Sequence, residues 1–180
     1  MVNQTRRSIS WITRTAVLLA LLIVIQIFPF PQPFRQFITG PLVNMILLIA
    51  AISTGLIGSI TLALISPWMA WLVQTHAAFG NLLPVIPYIM IGNAVYVCLF
   101  LLFRLKKKNV WFDSIGILLG SGAKFIVLYT AVTYIIIKYA SIPPMIAKAM
   151  SFPQLITALA GGVLALLLEQ ILKPTKILSK

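Results

Sequence analysis

The chain has 180 residues, 61% of them hydrophobic and only 9% charged, and its mean hydropathy is +1.05. A soluble domain of this size needs far more polar surface to cover its core, so the soluble globular class is excluded. The formal net charge of +12 does not describe a nucleic-acid-binding face, because the basic residues cluster in the gaps between apolar runs.

Six of these runs are long enough to cross a membrane, since about 20 helical residues at 1.5 Å each span the ~30 Å hydrocarbon layer. The first is Trp11–Phe28, stopped by the closely spaced prolines of FPFPQPF. The second, Phe37–Ser53, and the third, Gly55–Val73, are expected to form a tight hairpin broken near Thr54 and Gly55. The fourth is Pro84–Phe103, the fifth runs from about Phe112 to Ile137, and the sixth runs from Pro144 or Ile146 to Leu172. The reading is an all-α polytopic membrane protein, with residues 1–180 forming a single six-helix transmembrane domain and no room for a soluble one.

Basic residues orient the bundle. With a cytoplasmic N-terminus, Arg6, Arg7, Arg14, Arg104, Lys106, Lys107, Lys108, Lys173, Lys176 and Lys180 fall on one side. Only Arg35, Lys138 and Lys148 fall on the other. The positive-inside rule then places both termini in the cytoplasm of a cell-membrane protein. A cleaved signal peptide is disfavoured, because no small-residue cleavage pattern follows the first run.

Polar residues inside the spans are the candidate site. Lys124, in IGILLGSGAKFIVL, falls near the midplane of the fifth span. A charge there costs at least ~2.5–3.5 kcal/mol on insertion scales, so it is expected to face protein or water. Gly120 and Ser121 share its face and leave space beside it. The only acidic residues, Asp113 and Glu169, belong near the cytoplasmic surface, so an ion pair with Lys124 is not expected. Lys124 therefore either binds an anionic or strongly accepting ligand group, or is satisfied by Asn44, Asn93 or backbone carbonyls. Asn44, Asn93 and Gln154 lie between mid-depth and the outer surface, which suggests an outward-opening cavity. Each could equally link helices. Trp68 and Trp71 read as an interfacial aromatic belt or as a lid; Trp68, Trp71, Tyr88 and Tyr96 would suit a flat ring. His76 reads as a solvated loop residue and Cys98 as a buried packing residue. One His and one Cys, far apart in depth, make no metal site, and no cofactor is expected.

Small residues give a second pattern. Ala16 and Ala20 are four apart in RTAVLLALLI, and Ala158, Gly162 and Ala165 lie on one side of the sixth span. Such faces let another helix approach closely, within the bundle or from another subunit.

Together the six spans, the alanine pair and the stretches ITGPLVNMILLIA, ISPWMAWL, LLPVIPYIMIGN and FPQLITALAGGVLALLL resemble the substrate-binding S component of energy-coupling factor (ECF) transporters. The resemblance covers nearly the whole chain and rests on order and spacing more than on any one motif. It implies capture of a vitamin or related micronutrient from outside. It also implies docking through Ala16 and Ala20 on a transmembrane T component, with two cytoplasmic ATPases driving uptake. Substrate-binding positions would be Asn93, Lys124 and Gln154, under lids near Phe34–Phe37 and Trp71–Asn81. The chain has no GxxxxGK[ST] phosphate loop, so power would come from those partners.

Two other readings compete. A stand-alone transporter or channel usually carries membrane-embedded acidic residues, which this sequence does not clearly offer. An intramembrane hydrolase could use Ser121 and Lys124, at i and i+3, as a Ser–Lys dyad. No catalytic role is assigned on the leading reading.

Overall fold

The computed structural model describes residues 2–31, 34–73, 83–136 and 144–173, and all regular structure among them is helical. In chain order the helices are α1 (Val2–Ile27), α2 (Arg35–Val73), α3 (Ile86–Lys106), α4 (Val110–Thr130), α5 (Pro144–Ala149) and α6 (Phe152–Leu172). A π-helical turn, Ala131–Ile136, continues α4. Five segments are long and apolar enough to cross a membrane: Ser8–Ile27, Arg35–Val73, Leu83–Lys106, Val110–Tyr134 and Ala147–Leu172. Their boundaries follow the sequence. Prolines open α3 and α6, where the missing N–H costs nothing, and the last expected span divides at Met150 and Ser151 into α5 and α6.

The 39 residues of α2 would extend about 58 Å if straight, nearly twice the hydrocarbon thickness. They are not straight, because Gly55 has φ 77° and ψ −161°. That backbone region is essentially closed to residues with a Cβ. Contacts with α1 show what the break does. Arg35 donates to the Gln26 carbonyl (2.8 Å), and Trp11 donates to the Thr54 carbonyl (2.9 Å), so residues 35–54 run antiparallel to α1. Beyond Gly55 the order reverses: Gly58 sits against Thr15, and Gln26 donates to the Ser66 carbonyl (3.2 Å). The two limbs of α2 therefore follow α1 in opposite senses, and the break falls where the sequence placed it.

The first limb of α2 forms the centre, with Ile46 through Thr54 all buried. The limbs of α2 pack against α1, α3 and α6, and α4 packs on α3 and α6. Glycines set the closest approaches. A Cβ on Gly116 would lie 3.0 Å from the Phe100 Cα, and one on Gly161 would lie 2.6 Å from both the Pro41 carbonyl oxygen and the Asn44 Cβ. These are backbone contacts that cannot swing aside.

At the Gly55 end, Arg104 ties α3 to both neighbours. Its guanidinium bonds Asp113 of α4 (2.6 Å) and, through two nitrogens, Glu169 of α6 (2.5 and 3.1 Å). All three side chains are largely buried. The two acidic residues thus form an ion cluster at one end of the bundle, away from Lys124. Cys98, expected in the core, is instead exposed, in an apolar surface groove with Leu64, Met90 and Leu99. An apolar run does not signal burial in a protein whose outer surface faces lipid.

Two substitutions test this frame. Gly55→Ala should cost about 1–3 kcal/mol through its forbidden backbone conformation, read as a lower midpoint of thermal unfolding in detergent. Arg104→Met should cost roughly 3–5 kcal/mol by leaving two buried carboxylates without their cation, and Glu169→Gln should cost clearly less in the same assay.

Candidate functional site

Lys124 is brought to the interior by the face of α4 that carries Gly116, Gly120 and Ser121, all of them buried. The glycines let α3 approach, so the lysine stem lies against Gly92, where a Cβ would be 3.3 Å from the Lys124 Cγ. The residue is 3% exposed. Its Nζ donates to Asn44 Oδ1 at 2.6 Å and stands 5.7 Å from the centroid of the Tyr96 ring, within cation–π range.

Asn44 is fixed from two sides. Its Nδ2 donates to the Gly40 carbonyl (2.9 Å), which settles the amide orientation, and its Cβ is held by the close approach at Gly161. Tyr96 is equally committed: its hydroxyl donates to the Ala158 carbonyl on α6 (2.8 Å), and none of its surface is exposed. Both residues hold Lys124 in place through atoms already engaged. An ammonium has three donors, and Asn44 is the only hydrogen-bond partner of Lys124 among the described residues. Two N–H groups remain unspent in the interior.

Two further polar atoms are left over. Helical hydroxyls in this protein normally bond the carbonyl one turn back, as Ser53, Thr54 and Ser59 do. Ser121, one turn from Lys124, does not; its side chain turns instead toward the Tyr96 hydroxyl. Asn93 follows Gly92 on α3. Its Nδ2 donates to Ser66 Oγ (3.3 Å), but its Oδ1 is buried without a partner. Gln26 reaches the same serine from α1, and its Oε1 is likewise unpaired. Buried polar atoms are nearly always paired, and each one left unpaired costs about 1–3 kcal/mol. Other unpaired atoms lie towards the two ends of the bundle, on Arg35 and Asp113, so Asn93 and Lys124 are the groups with spare hydrogen-bonding capacity on the facing sides of α3 and α4. Ser121 and Lys124 are not hydrogen-bonded to each other, so the geometry supplies no Ser–Lys dyad.

One turn further from the Gly55 end, the surroundings become apolar. Leu128, Val132, Val85 and Met150 form a buried cluster, with Trp71, Tyr88 and Ile89 packed on it. Trp71 meets Trp68 edge-on, with ring centroids 6.4 Å apart. Gln154 stands apart from Lys124: it is half-buried and its amide points to the Met150 sulfur at 3.7 Å. The structure thus gathers Lys124, Asn44 and Tyr96, joins Asn93 to them through Gly92, and leaves Trp71 and Gln154 at the outer apolar layer. His76 and residues 74–81 of the expected second lid lie outside the described residues. Ser66 and Gly161 were not anticipated as part of this neighbourhood, since nothing local in the sequence marks them.

The family model for the ECF transporter, substrate-specific component, matches residues 11–172. The chain belongs to this family. No curated protein and no solved structure matches it. The family is a component of a transporter and not a class of enzymes, and its S components bind small molecules and associate with a T component and ATPases. In this S component the alanines of α1 are both exposed: Ala16 and Ala20 lie on a face shared with Ile12, Val17 and Val24.

The unpaired atoms give a stability test. A lysine kept for structure should stabilise its bundle, whereas one kept for binding should burden it. Lys124→Met combined with Asn44→Leu removes the buried charge together with the acceptor it would leave unpaired, at similar volume. It should leave thermal stability unchanged or raise it by about 1–3 kcal/mol, measured as detergent unfolding of ligand-free protein.

Proposed function

We propose that this S component captures a vitamin or related micronutrient from the cell exterior at the Lys124 cluster. It then delivers that molecule through a transmembrane T component and two cytoplasmic ATPases. The observation that carries the reading is the buried amine of Lys124, with Asn44 its one hydrogen-bond partner among the described residues, near the unpaired Asn93 Oδ1. Family membership supplies the class of function, and this cluster supplies the place.

On this reading the two limbs of α2 are separate crossings, giving six transmembrane helices. The contacts with α1 support it, because residues 35–54 and 56–73 follow that helix in opposite senses. The Gly55 end carries Arg14, Arg104 and the Lys106–Lys108 run and faces the cytoplasm, together with both termini, in the plasma membrane. The Lys124 site then lies about 15 Å from that end, by the ten residues separating Asn44 from Thr54. Its outer layer is the Trp71, Tyr88 and Leu128 cluster. Ligand enters from the outside past these side chains, with Gln154 at the rim and the segments near Phe34–Phe37 and Trp71–Asn81 as lids.

The exposed alanine face of α1 is the docking surface for the T component. Its small side chains admit another helix at short range, and its neighbours are apolar. Among the described residues α1 packs chiefly on α2, and its exposed alanine face is turned away from that contact.

Binding and docking use different surfaces, so they should separate by mutation. Ala16→Leu combined with Ala20→Leu should leave small-molecule binding by purified protein within about twofold of wild type, a surface change within the usual ±0.5 kcal/mol. It should also remove most co-purification with the T component. A double variant that still recovers the T component in full would remove the docking assignment.

A further inference from the structure

Three chemical demands follow one another along the axis of the site. Innermost is Lys124, whose one positive charge has no counter-ion. Both carboxylates among the described residues are held by Arg104 at the Gly55 end. Beside it is Asn93, with an acceptor oxygen and no donor for it. One turn outward along α4 begins a purely apolar layer, Leu128 and Val132 with Val85, Met150 and the Trp71 and Tyr88 rings.

Each demand selects a part of the ligand. A single ammonium in a medium of low dielectric compensates one negative charge and no more. That favours a monoanion over a phosphate ester, whose second charge would be buried without a partner. Two unspent N–H donors suit the two oxygens of a carboxylate. The Asn93 oxygen, buried on the helix that packs against the lysine stem at Gly92, calls for an N–H or O–H on the ligand. The outer layer offers surface only to an apolar body. A cation meets Lys124 with no carboxylate nearby, and only an anion gains from an ammonium at this position.

Resting on the capture reading, we propose that the substrate is an apolar-bodied monocarboxylate, bound acid-first against Lys124, with any hydrogen-bond donor it carries met by Asn93. Asn44 is the positioning residue. Because its amide is locked by the Gly40 carbonyl and by Gly161, it holds Nζ at one point and leaves the other two N–H groups for the carboxylate. Asn93 determines specificity by rewarding the ligand's donor.

The test is affinity of the full chain in lipid nanodiscs for matched acid and neutral compounds. The probes are lipoate with lipoamide, nicotinate with nicotinamide, pantothenate with pantothenol, and thiamine as a cation. Any compound that mass spectrometry finds released from the purified protein joins the set. The expected result is an acid that binds at least tenfold tighter than its neutral partner, a preference that Lys124→Met reduces to near unity. Asn93→Leu should weaken a donor-bearing acid at least fivefold while keeping the acid-to-neutral ratio, a split that a general loss of folding would not produce. Thiamine or an uncharged compound binding as tightly as any acid overturns the proposed class and leaves the capture reading standing. Wild-type protein that carries no small molecule and binds none of the probes overturns the capture reading itself.

Discussion

One hydrogen bond organises the interior of this protein: the 2.6 Å contact from Lys124 Nζ to Asn44 Oδ1. It joins α4 to the first limb of α2 through two residues eighty apart in sequence, both of them buried. A lysine there needs a reason, since an apolar residue would fill the space at lower cost. Asn44 accounts for one of its three donors. The rest of the neighbourhood makes that donor position fixed rather than adaptable. Gly161 lets α6 close on Asn44, Gly92 and Gly120 let α3 close on α4, and Tyr96 spends its hydroxyl on α6.

The bundle divides its polar chemistry by depth. The Gly55 end is tied by charge: the Arg104 cluster bonds α3, α4 and α6 together, and Trp11 and Arg14 occupy the carbonyls that the end of the first limb leaves free. The middle holds Lys124 with one hydrogen-bond partner and Asn93 with an unpaired oxygen. Above it the packing is apolar and includes the π-helical continuation of α4, a conformation often found near functional positions. A rigid closed end and an underbonded middle beneath apolar side chains suit a subunit that holds a molecule and hands it on. Such a subunit needs its binding energy concentrated in few contacts, and it relies on other chains for work.

Much of this was legible from residue order alone. Runs of about 20 apolar residues and the closely spaced prolines after Phe28 marked the helices, and the glycine at 55 marked the break. Lys124 stood out because charge in hydrocarbon is costly, and Asn44 was among its named alternatives. The sequence left two readings of Lys124 open, and the structure shows why they are not exclusive: Asn44 satisfies part of the ammonium and leaves part of it. What was illegible depends on rotation of helices about their axes. Cys98 lies on the lipid side of α3 and Tyr96 on the inner side, two residues apart in equally apolar sequence. Nothing in a run that is apolar all round tells them apart. The same uncertainty hid Ser66, which meets Gln26 and Asn93 only because the chain turns back at Gly55, and the gathering of both acidic residues on one arginine.

The central claim is that Lys124 is retained for a ligand and not for the bundle. Its most direct test compares the small-molecule content of wild-type and Lys124→Met protein, purified identically and quantified by mass spectrometry against protein concentration, with unfolding followed in parallel. The account predicts a near-stoichiometric compound in the wild type, its loss from the variant, and a double variant, Lys124→Met with Asn44→Leu, at least as stable as ligand-free wild type. An unchanged load in the variant, or an empty wild type whose stability falls on the double substitution, would contradict it and make Lys124 a structural tie.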